Sequence, residues 1–351
     1  MRRTALTALA PRCVAAVAAV LTGLAITGMA VSGRPARSVV PSGPPSYYAD
    51  IEGSGVVIRA TATGTVTDTY TFTGGSIGAL AAARDDRAFY FVEDSQFTAA
   101  IKTFRITASG QITGLAPVRG GTINTHGGVV DSIAVSPDGS RLAIGEFFNP
   151  SPAGGGGPVA DLIVINLNTG KQTVWQGIRK NDWPVRIPSV SWMPDARSVV
   201  YLLQWCSSGL AGTDTCTGPG VQYAEVWSLD ASSNGGTLAS HSHRLLAQSA
   251  RYPVIQQALT ASRGGAVIVM VLSGKNRTQL AIDLVSVPSG RTLAVLYRGT
   301  AGTASSSSLS ADSSRTYLLL ADGFGAHHGW IRGGHLHLLP PTNGDGEPMA
   351  W

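Results

Sequence analysis

The chain has 351 residues, of which only 13% are charged and 43 are glycine. Charge content this low, with so much glycine, goes with many short strands joined by turns, and no sustained i, i+3, i+4, i+7 apolar stripe follows the N-terminal segment. The formal net charge of +5 is matched by five arginines in the first 37 residues (Arg2, Arg3, Arg12, Arg34 and Arg37), where there is no acid. The rest is neutral and lacks the basic stripe that a nucleic-acid backbone requires.

Arg2, Arg3 and Arg12 precede an uncharged run, Cys13–Val31. Positive charge ahead of such a run stays in the cytoplasm, so the remainder is expected to be exported. Residues 1–31 read as a signal peptide or as a single-pass membrane anchor. Gly28-Met29-Ala30 offers a small-x-small cleavage site, while the length of the run favours the anchor. Arg2-Arg3 lacks the flanks of a twin-arginine signal, and Arg12 before Cys13 does not fit a lipoprotein box. Residues 32–46, rich in Pro, Gly, Ser and Arg, read as a linker.

Tyr47–Ile51, Gly55–Ala62 and Thr65–Phe72 read as strands. Gly74-Gly75-Ser76-Ile77-Gly78 then fits the G-x-S-x-G elbow of serine hydrolases. That elbow joins a strand to a helix, whereas a β segment follows here, so the glycines are read as permitting a chain crossing. From this point a phrase recurs. Its best copy is AVSPDGSRLAI (Ala134–Ile144), with weaker copies at Leu80–Val92, Val190–Leu203, Ala258–Val271 and Ser308–Leu320. Each is a strand, a tight polar turn and a more apolar strand. In the best copy Pro137 presets φ, Asp138 tolerates the next position and Gly139 suits the exit. Asp161–Asn168 (DLIVINLN) is apolar on both faces and must be covered on both sides. Asn168-Thr169-Gly170 turns into Lys171–Gln176, which completes a four-stranded meander over Val130–Gln176. The same order fits Ile77–Val118, Pro188–Gln248, Val254–Gly299 and a last unit from Ser306.

A repeat of this period predicts an all-β fold, a β-propeller of four-stranded blades over 47–351, preceded by one hydrophobic N-terminal helix. The strands over Tyr47–Phe72 lack the recurrent turn, and Glu347–Trp351 is a lone apolar segment. The two ends are therefore expected to share a sixth blade, one giving its inner strand and the other its outer strands, which removes free sheet edges. A seventh blade would have to lie within Trp205–Gln248.

Cys206 and Cys216 share one Gly/Ser/Thr loop and, in an exported chain, are expected to form a disulfide. A two-cysteine metal site lacks partners at a suitable spacing. His241/His243 and His335/His337 have the i, i+2 spacing that puts two rings on one face of a strand. With His327 or His328, the latter pair gives the weak metal candidates of this chain. Spacing specifies no third ligand, and exposed strand and loop positions are the plainer reading, so neither metal nor cofactor is expected. Asn343–Glu347 lacks the downstream ligands of an EF-hand, and Gly154–Gly157 lacks the Lys-Ser/Thr of a phosphate loop. Asn276-Arg277-Thr278 is a glycosylation sequon. Trp192 and Trp227 are expected to pack between blades.

SPDGSRLAI, followed by an apolar strand and NTG, resembles the repeat of TolB-like and WD-repeat-like bacterial propellers. The resemblance covers most of 47–351 and is best over 131–170. It implies an exported propeller, of the actinobacterial type, that binds protein or cell-envelope partners, and it brings no catalytic residues with it. Independently of the family, the turns DDRA, PDGS, PDAR, SRGG, NTG and PSG fall at one end of the meanders and are tight. The other end takes the long connections Arg119–Gly128, Asn149–Ala160, Gly177–Pro188 and Trp205–Gln222, and long loops on a rigid scaffold are where binding concentrates. Arg179, Lys180, Asp182, Trp183 and Arg186 form the most varied set there and the candidate partner-binding loop; the plainer reading is a solvated connection with Trp183 tucked beneath it. The expected function is a monomeric, extracytoplasmic binding module, anchored through its N-terminal segment or secreted. The alternative is a hydrolase- or lactonase-like enzyme, or a metal-dependent sensor, working in the central channel. That alternative needs three or more carboxylates or histidines at inner-strand ends, where the sequence offers Asp131 among Ile, Val, Ala and Ser.

Overall fold

The computed structural model describes residues 43–148, 159–178, 185–206, 222–262, 264–274, 278–287, 289–301, 307–322, 328–340 and 348–351. The N-terminal segment, Gly154–Gly157, Cys216, Asn276 and Asn343–Glu347 lie outside the described residues. Among those described, no helix is long and apolar enough to cross a membrane.

The chain opens with β1 (Tyr47–Glu52), β2 (Gly55–Ala60) and β3 (Val66–Thr71). The first full meander is β4 (Ser76–Ala82), β5 (Ala88–Asp94), β6 (Thr98–Ile106) and β7 (Ile112–Asn124). The second is β8 (Val129–Val135), β9 (Arg141–Phe148), β10 (Val159–Asn166) and β11 (Gln172–Ile178). The third is β12 (Val185–Trp192), β13 (Ser198–Cys206), β14 (Gln222–Asp230) and β16 (Ser242–Ala247), with β15 (Gly236–Thr237) and the single turn α1 (Leu238–His241) before its last strand. The fourth is β17 (Val254–Thr260), β18 (Ala266–Ser273), β19 (Gln279–Ser286) and β20 (Thr292–Thr300). The fifth is β21 (Ser307–Ala311), β22 (Leu318–Asp322), β23 (His328–Arg332) and β24 (His335–Leu338), and β25 (Met349–Ala350) ends the chain.

β25 pairs with β1, Ala350 opposite Ala49 and Met349 opposite Asp50, so the sixth sheet runs β25-β1-β2-β3. The C-terminal strand is the innermost strand of a blade whose outer strands open the chain, as the sequence predicts. The innermost strands β4, β8, β12, β17, β21 and β25 pack each against the next, and β25 returns to β4. The result is a six-bladed propeller with Trp351 only 1% exposed.

The apolar pattern explains the closure. β10 is buried from Val159 to Ile165, so it needs cover on both faces. Six apolar clusters supply that cover, one in each seam between neighbouring blades. Phe89, Phe91 and Phe104 meet Ile51, Val56 and Ile58 on one side of the closing blade, and Tyr48, Tyr317, Met349 and Trp351 meet on the other. Burying each such side chain contributes about 2–3 kcal/mol. Innermost strands have no ladder partner on the channel side, and hydroxyls answer that need. Ser132 Oγ donates to the Ile187 carbonyl, Ser189 Oγ to Ala258 and Thr260 Oγ1 to Trp192, each at 2.7 Å.

Six blades form, as expected, and the alternative of a seventh within 205–248 finds no extra blade among the described residues: β15 joins the outer edge of the preceding sheet, parallel to β11, with Gly236 opposite Trp175. One expectation needs correction. The connection over Arg119–Gly128 is mostly strand, because β7 runs on to Asn124. Register shifts against β6 absorb its extra residues, with Gly114 and Gly120 at φ +64° and +67°.

Candidate functional site

Every first strand of a blade runs from the looped end of the channel to the tight-turn end, so side chains at its two termini face two different environments. At the looped end, Asp131 sits in a register shift of β8, between Val130 and Ser132. Arg186, at the start of β12, spans the seam to reach it. Arg186 Nε donates to both Asp131 oxygens at 3.1 Å, and Nη2 completes the pair. The Asp131 side chain is 1% exposed.

Three more carboxylates stand behind this pair. Asp94 ends β5, Glu146 lies near the end of β9 and Asp161 near the start of β10. Glu146 and Asp161 are directly opposite one another across the ladder. Asp94 accepts the Val130 N–H and lies against two glycines of the G-x-S-x-G stretch. A Cβ on Gly78 would come within 1.9 Å of Asp94 Oδ2, and one on Gly75 within 2.0 Å of the Asp94 carbonyl. These glycines hold space for Asp94, and the strand β4, which begins at Ser76, replaces the helix a hydrolase elbow needs. Asp161 Oδ1 accepts the Gly177 N–H at 2.7 Å. Asp94 Oδ1 and Glu146 Oε1 are buried with no hydrogen-bond partner among the described residues. Burial, with Asp161 and Asp94 alongside, pushes Glu146 up to about 8. Burial pushes Asp94 up to about 7 against the Val130 N–H, with Asp131 adding to the rise. Asp161 is raised by burial against the Gly177 N–H. The cluster therefore holds protons near neutral pH.

At the tight-turn end the channel widens into a cavity of about 230 Å³ lined by residues of all six blades. Trp192 and Trp351 form apolar wall, and Ser136, Thr260, Ser262 and Ser313 bring hydroxyls. The charged lining is Arg84, Asp86 and Arg315. Asp86 and Arg315 occupy the repeat position that Gly139 holds in the best copy of the turn. In each, the N–H bonds back three residues, Gly139 to Ser136, Asp86 to Ala83 and Arg315 to Asp312. In each φ is positive: +69° at Gly139, +51° at Asp86 and +58° at Arg315. Asp86 accepts the Ser313 N–H and hydroxyl across the ring, at 3.3 and 3.1 Å. Burial pushes Asp86 up to about 6, against the Ser313 donor and with Asp312 adding to the rise.

Of the candidate loop, the structure places Arg186, on Asp131; Arg179, Lys180, Asp182 and Trp183 lie outside the described residues. Cys206 ends β13, its backbone opposite Gln222, and its expected partner Cys216 is undescribed. His328 is 5% exposed and meets the Tyr48 ring edge-on at 5.8 Å. His335 and His337 lie exposed on an outermost strand, with His337 stacked on Trp330 at 3.7 Å, and His327 is outside the described residues. His241 ends α1 with Nδ1 near Ser240 Oγ and Thr237 O, so it does not share a strand face with His243. Among the described residues no three His, Cys, Asp or Glu side chains are grouped to hold a metal. Trp192 packs in a seam as expected, its Nε1 donating to the Ala134 carbonyl at 3.0 Å and the Arg141 guanidinium 4.6 Å from its ring. Trp227 is partly buried against the same cluster.

No protein-family model matches this sequence, and no curated protein does. Solved structures do. A nidogen/laminin complex aligns over 87% of this chain and 97% of its own, with a TM-score of 0.54 at 10% identity. Hydrazine synthase of Kuenenia stuttgartiensis aligns over 78% and 69%, with a TM-score of 0.46 at 14% identity. The Dos1 propeller aligns over 83% and 66%, with a TM-score of 0.42 at 11% identity. At such identity the likeness is one of fold, and the fold is the six-bladed β-propeller described above.

Proposed function

We propose that this protein is an exported β-propeller, held at the cell envelope by its N-terminal segment or released from it, that acts as a non-catalytic binding module. Its looped end faces a protein or envelope partner. The observation that carries this reading is the burial of the looped-end acids. Glu146 and Asp94 are 4% and 7% exposed, and their unpaired oxygens lie beneath the surface, out of a substrate's reach. Asp131, which does belong to an innermost strand, is engaged by Arg186. Their burial supports a part in shaping this end of the ring over proton exchange with a substrate. The closed ring leaves the ends of the channel as the natural contact surfaces, and the longest connections rise from this one. The resemblance of the repeat to TolB-like propellers supports the same reading, as does the neutrality of the chain beyond its arginine-bearing leader.

Site-specific photo-crosslinking of the full chain in cells tests it. A crosslinker at Lys180, in the connection between β11 and β12, is expected to trap an envelope component; one at Asp195, in a tight turn, is not. Equal trapping at both, or trapping at Asp195 alone, would remove the looped end from the proposal. Sequencing the mature N-terminus after cell fractionation reads out export and anchoring separately.

A further inference from the structure

The cavity at the tight-turn end gathers two arginines and one aspartate, Arg84, Arg315 and Asp86. Asp312 and Asp86 lie near enough to Arg315 to favour its charge, and one carboxylate in the lining leaves the two guanidinium groups in excess. Trp351 Nε1 is buried without a partner, and Trp351 belongs to the same lining. The turns add a second argument. Left-handed φ is disfavoured by roughly 1–2 kcal/mol for a residue with a Cβ, yet the repeat replaces glycine there with Asp86 and Arg315. Both side chains line the cavity. Strain retained at a concave site is a mark of function. Ala196 carries the same strain, at φ +54°, without contributing to the lining, so strain counts here only together with the donors.

We propose that the tight-turn mouth of the channel binds a small, flat oxyanion, a carboxylate or phosphoryl group carried on an aromatic or cyclic body. The guanidinium forks of Arg84 and Arg315 take the oxyanion, as planar donors take planar or tetrahedral oxyanions. Trp192 and Trp351, each 1% exposed, belong to the apolar wall beside the bound group. The volume, about 230 Å³, suits a single ring with its anionic substituent. Asp86 and Asp312 are the anions on the two flanking turns. Asp312 is engaged by the N–H groups of Thr316 and Tyr317 at 2.8 Å, and Asp85, next to Asp86, pairs with Arg105 at 2.6 Å. Asp86 is the acid left to oppose a bound oxyanion, and protonating it favours binding.

The test titrates the full chain, in detergent, with benzoate, phenyl phosphate and inorganic phosphate, following tryptophan fluorescence, with chloride at matched ionic strength as the blank. Saturable quenching by at least one oxyanion is expected, tighter at pH 5.5 than at pH 7.5. Arg315→Gln and Arg84→Gln should each weaken it about tenfold, the effect of one charge-assisted hydrogen bond. Benzoate bound in preference to phenyl phosphate assigns a carboxylate, and the reverse a phosphoryl group; inorganic phosphate bound as well as either overturns the ring-shaped part of the site. Arg84 is exposed, so Arg84→Gln keeps the test decisive if Arg315→Gln does not fold. No saturable response to any of the three, or equal affinity in wild type and Arg84→Gln, overturns the proposal.

Discussion

At the looped end four carboxylates converge from β5, β8, β9 and β10, whereas at the tight-turn end two arginines and an aspartate converge from two hairpin turns. Three of the looped-end acids, Asp94, Glu146 and Asp161, stand on ladder positions. Register fixes which way they point, so Glu146 must face Asp161, and burial, with the neighbouring acids adding to it, favours their protonated forms. Of the tight-turn charges, Asp86 and Arg315 stand on left-handed turn residues, which point where the strand pattern does not dictate. One end thus buries its acids among strands; the other gathers its charges on turns around a cavity. The difference teaches that in a propeller the burial of a charge depends on whether it arises from a strand or from a turn, even when both face the same channel.

The largest effect on this comparison comes from the residue that closes the ring. Trp351→Ala removes a buried wall of the tight-turn mouth and part of the last seam. A loss of about 3–5 kcal/mol is expected, seen as a fall in Tm on the order of 10 °C. A fall of a degree or less would mean that the C-terminal segment does not hold the ring shut. Next comes Arg186→Gln, which leaves the Asp131 side chain buried without its guanidinium. It should cost about 3 kcal/mol in denaturant unfolding, and Asp131→Asn added to it should recover part of that loss. If the double variant is no more stable than the single one, the pair is not the looped end's electrostatic tie.

A third measurement separates the ends by pH. Glu146, Asp94 and Asp161 all have raised pKa values in the folded protein, so from about pH 4 upward the native state holds more protons than the unfolded one. Their contribution is fully present below the unfolded values and is lost as pH rises through the folded ones, about 7 for Asp94 and 8 for Glu146. Stability should therefore fall between pH 5 and pH 8, by at most about 1.4 kcal/mol per pH unit for each group. Glu146→Gln should flatten the slope up to about pH 8, whereas Asp86→Asn should alter only the part below about pH 6. A Glu146→Gln profile parallel to wild type would show that the acids do not hold protons.

The ring itself was legible in the sequence, and the reason is periodic. A strand apolar on both faces, such as Val159–Ile165, can only be sandwiched, and the recurrent turn counts the sandwiches. The lone segment at the C-terminus was legible because the first three strands lacked that turn. The acid cluster was not. Glu146 and Asp161 belong to strands joined by a long connection, so their register cannot be counted from sequence, and Asp94 joins them through packing between blades. The search for acids on innermost strands finds Asp131 and misses three others on second and third strands. The mouth was hidden for another reason. Asp86 and Ser313 are 227 residues apart and meet across the short β25 only when the ring closes. The available signal was a charged residue in place of glycine at the fourth position of the turn, Asp86 and Arg315, where the equivalent residue after Asp195 is Ala196.

The smallest expected effect follows from that last point and decides between its two explanations. Arg315→Gly and Ala196→Gly both relieve a left-handed residue, at φ +58° and +54°. Glycine removes a strain of roughly 1–2 kcal/mol and returns part of it as entropy lost on folding, so each should gain about 0.5 kcal/mol. Ala196→Gly should leave oxyanion quenching of tryptophan fluorescence unchanged, while Arg315→Gly weakens it about tenfold. A variant that is more stable yet binds more weakly ties the strained turn to the ligand, since a residue kept for the turn's sake would make the protein weaker when removed. If Arg315→Gly instead costs a kilocalorie or more, the guanidinium supports the turn electrostatically, through Asp312 and Asp86, and the contrast between buried strand acids and turn charges at a cavity loses its sharper half.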